Sequence, residues 1–169
     1  AGALAEAATG DWLLIQNETN LQVEAARLGR DLGLRVAYAA APFEAEAVQA
    51  VLPFLDLLLL NEVEAAQLAR ATGHPPEALG VRDVIVTLGA RGAEWHGADE
   101  RQTFDAMKVT PVDTTGAGDT FTGYVLAGLD RGMPMAQAIG LAIRAAALKV
   151  TRAGAADGIP DLSEVQAFR

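Results

Sequence analysis

The chain has no cysteine. That excludes disulfides and thiolate metal sites, and it fits a reducing, cytoplasmic setting. Serine is almost missing: Ser163 is the only one, so there is no G-x-S-x-G nucleophile elbow. His74 and His96 are the only histidines; they stand too far apart for a local zinc pair and read as surface residues. No 18-residue apolar run exists to form a transmembrane helix, and no basic-then-apolar signal segment opens the chain. Basic residues are scarce, 13 Lys and Arg against 22 Asp and Glu, for a net charge of -9. Phosphate backbones need clustered Lys and Arg, so neither nucleic acid nor membrane is an expected partner. The P-loop pattern G-x-x-x-x-G-K-[ST] is absent. Gly116-x-Gly118 is followed by Phe121 where a dinucleotide fingerprint wants glycine. An initial Met is also missing: the chain opens at Ala1 inside what reads as the end of a helix over Ala1 to Ala8, and a fragment is expected.

What is present is 169 residues, 51% of them hydrophobic, enough for a single globular domain over 1–169 with a sizeable core. Asp11 to Gln16, Leu34 to Ala39, Asp56 to Leu60 and Val81 to Leu88 read as buried strands. Between them stand helical patterns. Asn20 is placed to cap a helix whose apolar residues are Leu21, Ala25, Leu28 and Leu32, ended by Gly33. Glu44 to Leu52 is a short helix, and Asn61 opens another through Ala71. Ala93 to His96 and Arg101 to Phe104 pair as a hairpin. Two long helices follow, one with apolar residues Phe121, Val125 and Leu129, the other Met135 to Thr151. A glycine-rich loop at Gly154 to Pro160 then leads to a terminal helix at Leu162 to Phe168. Alternating strands and helices predict βαβ units and an α/β fold: a three-layer, mainly parallel, Rossmann-like sheet. In such a sheet ligands sit beyond the carboxyl ends of the strands. The polar loops at 16–19, 39–42, 61–64, 87–92 and 113–119 are all expected there.

The stretch Val112-Asp113-Thr114-Thr115-Gly116-Ala117-Gly118-Asp119-Thr120-Phe121 carries the densest chemistry. It leaves a short extended run, Lys108 to Val112, and opens into a helix. Its glycines permit a sharp turn that exposes backbone amides, and the first amides of a helix attract anions, phosphate above all. Gly plus Asp before a helix also fits a plain turn and N-cap. Asp119 adds a carboxylate among those amides, and Asp113 and Thr115 add a second carboxylate and a hydroxyl.

The run D-T-T-G-A-G-D-T-F resembles the signature of the ribokinase-like carbohydrate kinases (phosphofructokinase B type), and most of all the ribokinases. The resemblance runs from about Asp11 to Pro160 and covers the C-terminal part of that fold; the N-terminal part, with most of the sugar pocket and the β-lid, has no counterpart here. It implies that Gly116, Ala117 and Gly118 form an anion hole for the transferring phosphate, with Asp119 the catalytic base that also holds the sugar hydroxyl. A carboxylate at a helix N-terminus is a weak base, which is tolerable when the proton leaves late in a loose transition state. Asn61-x-x-Glu64 matches the family's N-x-x-E element, which implies Asn61 near nucleotide and Glu64 holding Mg²⁺ through water; a helix cap is the bland alternative. Thr87-Leu88-Gly89-Ala90-Arg91-Gly92 matches the T-L-G-x-x-G nucleotide loop, with Thr87, Gly89 and Gly92 near ATP; the alternative is a plain hairpin turn. Asp113 and Thr115, with the loop from Lys149 through Gly154 to Gly158, match the place of a monovalent cation, K⁺; Asp113 alone could simply cap its own loop. The family often has a hydroxyl where Gly158 stands, and Asn or Asp followed by Pro where Ala39-Ala40 stand. Glu18 matches a glutamate near the sugar.

The resemblance thus implies an ATP- and Mg²⁺-dependent transfer of the γ-phosphate to a sugar hydroxymethyl group, with ribose the first acceptor to consider. Fructose, 2-keto-3-deoxygluconate and nucleosides are the others, and a non-catalytic nucleotide-binding module is the rival from another class. In the full-length form the resemblance allows a homodimer through the lid.

Overall fold

The computed structural model describes Leu4 and residues 6–168. Ala1, Gly2, Ala3 and Ala5 of the helix end expected at Ala1 to Ala8 lie outside the described residues; within them Ala7 N–H donates to Leu4 O at 3.3 Å.

The strands are β1 (Trp12–Gln16), β2 (Arg35–Ala39), β3 (Leu57–Asn61), β4 (Asp83–Thr87), β5 (Ala93–His96) and β6 (Arg101–Phe104). The helices are α1 (Gln22–Asp31), α2 (Ala45–Val51), α3 (Glu62–Thr72), α4 (Ala117–Asp130), α5 (Met135–Val150) and α6 (Leu162–Ala167). One six-stranded sheet runs in the order β1-β2-β3-β4-β5-β6. Its first four strands are parallel, with Gln16 opposite Ala39 and Asn61 opposite Thr87. The connections at 88–92 and 97–100 are too short for a parallel crossover, so β5 and β6 turn antiparallel. The expected α/β fold with a mostly parallel sheet is the one observed. No helix among the described residues is long and apolar enough to cross a membrane.

Chain contacts divide into two compact units: residues up to Thr87 with Trp95–Arg101, and Leu88–Glu94 with the chain from Gln102 onward. In the first, α1, α2 and α3 pack on one face of the parallel strands. There Val36, Tyr38, Leu58, Leu60 and Val84 meet Ala26, Val48, Val51 and Leu68 in one apolar cluster. The alternate residues Ala37, Leu57, Leu59 and Ile85 are buried as well, as in strands covered on both faces. This is why β3 reads as an unbroken leucine run.

Two local expectations fail in α1. Asn20 is not the cap: Leu21 is, in the left-handed conformation with φ 65° and no side-chain cap bond. Of the expected apolar face, Leu21 and Leu32 are exposed and Leu28 is half-buried, while Ala25 packs against the core and Ala26 and Gly29 are buried. The reason is close approach. A Cβ on Gly29 would sit 2.7 Å from Leu13 Cδ2, so the helix seats its smallest residue against β1, and the leucines at its two caps, Leu21 and Leu32, are left exposed.

In the second unit α4 and α5 pack closely through Gly128, whose Cβ position lies 3.0 Å from Ala138 Cβ. Leu141, Ala145 and Val165 form a small cluster that holds α6. Asp161 and Glu164 cap α6 reciprocally, and Arg152 clamps Glu164 with bonds of 2.7 and 3.2 Å. The extended run expected at Lys108 to Val112 forms no strand. Pro111 has no amide to give a ladder, and the amides of Val112 and Asp113 both donate to Val150 O, at 2.7 and 3.1 Å. The loop at 113–119 therefore follows the end of α5 in space rather than the end of a strand.

Candidate functional site

In the first unit the parallel strands bring their carboxyl ends to one rim. Asn61 ends β3 and caps α3: its Oδ1 accepts from the amides of Val63 and Glu64, both at 2.9 Å. Glu64 Oε2 accepts the Asn61 amide at 2.8 Å, completing a capping box. Burial raises the Glu64 carboxyl above its ordinary value, and the Asn61 bonds partly offset that. Thr87 lies opposite Asn61 across the ladder and donates its hydroxyl to Leu60 O at 3.5 Å. Glu18 is exposed in the turn after β1. That turn is tied down beside it, where the Asn17 amide donates to Ala41 O at 3.1 Å and Asn17 Nδ2 to Pro42 O at 3.0 Å. His74 is exposed as expected, whereas His96 is half-buried.

In the second unit Gly89 to Arg91 form a 3₁₀ turn, closed by a bond from Leu88 N–H to Gly92 O at 2.8 Å. Gly92 has φ 103°, and a Cβ there would lie 1.8 Å from Phe104 O. Only glycine fits, which gives the T-L-G-x-x-G pattern a physical reason.

The remaining predicted residues converge. Gly116 is the N-cap of α4 with φ 73°, a conformation glycine adopts without strain. The first bond inside α4 runs from the Thr120 amide to Gly116 O at 2.9 Å, and the Thr120 hydroxyl donates to the same oxygen at 2.8 Å. Ala117 N–H is taken by Thr114 O at 3.2 Å. The Gly118 amide precedes the first intrahelical bond, and nothing stands within 4 Å of the Gly118 Cβ position. Open space over the first turn of a 14-residue helix suits an oxyanion. Asp119, exposed in that turn, supplies the carboxylate. It also borders a cavity of about 350 Å³ along α4, shared with Gly123, Tyr124, Arg131, Ile159 and Leu162.

Asp113 sits behind this turn. Its Oδ1 accepts the Thr115 amide at 2.9 Å and its Oδ2 the Gly154 amide at 3.0 Å. Bonds from Thr115, then the Gly154 amide, then the Lys149 charge hold its carboxyl down at about 2. Gly116 is pressed close to this arch as well, its Cβ position 3.1 Å from Ala155 O. Thus Asp113, Thr115, Gly116 and Gly154 form one knot, as the spacing alone could not establish. Sequence reasoning passed over the Lys149 side chain. Its Nζ donates to Asp113 O at 3.0 Å from a fully buried position. The signal was there in the helical stripe Ala138, Ala142, Ala145, Lys149, where every member is buried.

With this geometry in view, likeness to known proteins is informative. A family model described as pfkB family carbohydrate kinase matches residues 15–162. The ribokinase of Lactococcus lactis is 35% identical over 159 residues, 90% of this chain and 50% of the relative. The crystal structure of Thermotoga maritima ribokinase superposes with a TM-score of 0.82 at 33% identity, covering 94% of this chain and 56% of that one. The Arabidopsis thaliana ribokinase structure, complexed with ribose and ATP, gives 0.82 at 27% identity, covering 93% and 55%. The chain spans about half the length of the curated relatives it matches. Since the family model takes in every loop assembled above, from the end of β1 to the start of α6, the chain belongs to the pfkB family of carbohydrate kinases.

Proposed function

We propose that the chain is the phosphate-handling part of an ATP-dependent sugar kinase of ribokinase type, which transfers the γ-phosphate of ATP to a sugar hydroxymethyl group. The observation that carries this reading is the start of α4: a left-handed Gly116, an uncovered Gly118 and a carboxylate at Asp119 within one turn. There the amides meet the charge of the transferring phosphate, and the Asp119 carboxylate orients the acceptor hydroxyl and takes its proton. Gly89 and Gly92 shape a turn that nucleotide can approach closely, and Thr87 and Asn61, at the ends of their own strands, are assigned to the nucleotide as well. Mg²⁺ would supply charge neutralisation on the phosphates. Glu64 fits that ion, because its capping bond uses Oε2 and leaves Oε1 for a metal-bound water, and Mg²⁺ asks for few protein ligands. Glu18 is the residue assigned to the sugar side, and ribose is the acceptor placed first.

Calorimetric titration of MgATP, followed by a coupled assay over ribose, fructose, 2-keto-3-deoxygluconate and nucleosides, tests the proposal. Asp119→Ala is expected to keep nucleotide affinity while transfer falls by about 10²–10⁴-fold. Undiminished transfer in that variant refutes the assignment. The rival reading is a module that holds nucleotide without catalysis. ATP binding with no transfer to any acceptor is the outcome that selects it.

A further inference from the structure

Lys149 is the one charged side chain that is buried among the described residues, with 0% exposure. A charge taken out of water needs close acceptors. Its Nζ finds Asp113 O at 3.0 Å, directly behind the turn that starts α4. The resemblance implies a monovalent cation in this place, so the residues present were weighed against one.

They do not suit it. The Asp113 carboxylate is already spent on two amides, those of Thr115 and Gly154. Val150 O, the carbonyl beside it, is taken by the amides of Val112 and Asp113. Asp113 O itself receives the ammonium. A side-chain hydroxyl cannot be added at Gly158 without displacing backbone, since a Cβ there would stand 2.8 Å from Gly154 O and 3.2 Å from Ala153 O. A second cation at this point would face the fixed positive charge of Lys149, which already holds the Asp113 carbonyl, an arrangement that repels.

We propose that the ammonium of Lys149 is a built-in cation for this loop, standing where the family resemblance calls for a free monovalent ion, so that this chain has no K⁺ requirement there. Lys149 is a positioning residue. By holding the Asp113 carbonyl it fixes the loop that leads through Thr115 to Gly116, and so the entry to α4. The proposal rests on reading the Asp113 loop as the family's cation place. It does not rest on catalysis, because cation binding to the fold is read from unfolding, whether or not any sugar is phosphorylated.

The test compares thermal unfolding in KCl and in tetramethylammonium chloride at equal ionic strength. For the wild-type chain the two midpoints are expected to coincide. Lys149→Ala, which opens the room the ammonium filled, is expected to unfold earlier and to regain about 2–4 °C in KCl alone. Lys149→Met keeps most of the stem volume and removes the charge; it is expected to be destabilised with no K⁺ rescue. A merely structural lysine would show no gain specific to K⁺. A KCl-specific rise in the wild type overturns the proposal, as does a folded Lys149→Ala that is indifferent to K⁺. If Lys149→Ala does not fold in either salt, the wild-type comparison decides the K⁺ requirement: coincident midpoints uphold its absence, and a KCl-specific rise sinks the proposal.

Discussion

At Asp113 one residue joins three pieces of chain: its carboxylate takes its own turn through Thr115 and the loop after α5 through Gly154, and its backbone carbonyl takes the end of α5 through Lys149. Its carboxyl is held at about 2, from an ordinary 3.8. A depressed carboxyl favours the folded state wherever the group is ionised in both states. That contribution is present above pH 3.8 and disappears as pH falls through about 2. Asp113→Asn keeps an acceptor for the Thr115 amide but turns an NH₂ toward the Gly154 amide. The variant is expected to be less stable at neutral pH and to show a flatter acid limb between pH 3.8 and about 2, followed by circular dichroism. Asp161 and Glu164, also lowered by their bonds, retain their share of the limb. An acid limb as steep as that of the wild type would mean that the Asp113 bonds do not persist in solution.

Among the elements, α3 opens on a cap whose residues the proposed function also uses. Asn61 Oδ1 serves two amides and Glu64 answers it. Asn61→Ala is expected to cost about 0.5–2 kcal/mol in urea unfolding. Asn61→Ser, which can still cap, separates the roles: stability near wild type with weakened ATP binding keeps Asn61 at the nucleotide, whereas an unchanged affinity leaves it a cap alone. This start was legible because S/T/D/N-x-x-E is a local pattern written by local bonds. So were the buried leucines of β3 and the glycine before α4. What was not legible depended on partners distant in sequence. Asn20 lost its cap to Leu21, and Leu21 and Leu32 were left exposed where Gly29 meets Leu13. Lys108 to Val112 resembled a strand until its amides found the end of α5. Lys149 resembled one more basic residue near a helix C-terminus, until folding buried it under Asp113.

For the whole molecule, exposure of a sheet edge governs behaviour in solution. The sheet begins with β1, which among the described residues has a partner on one side only, β2. The strand reads Trp12-Leu13-Leu14-Ile15-Gln16, without a charge to discourage pairing with another chain, and Leu14 is 41% exposed. Arg35 is engaged over the Trp12 ring at 4.5 Å, so it does not shield the edge as a free charge. Parallel, apolar edges of this kind are templates for association, and an outward lysine is a common natural remedy. The chain is therefore expected to self-associate as its concentration rises. Leu14→Lys should shift sedimentation velocity toward monomer while leaving the unfolding midpoint nearly unchanged, since Leu14 contributes little to the cluster formed by its neighbours Leu13 and Ile15. If the variant associates as strongly as wild type, the contact lies elsewhere. If it unfolds much earlier, Leu14 packs inward in solution, and the edge is covered.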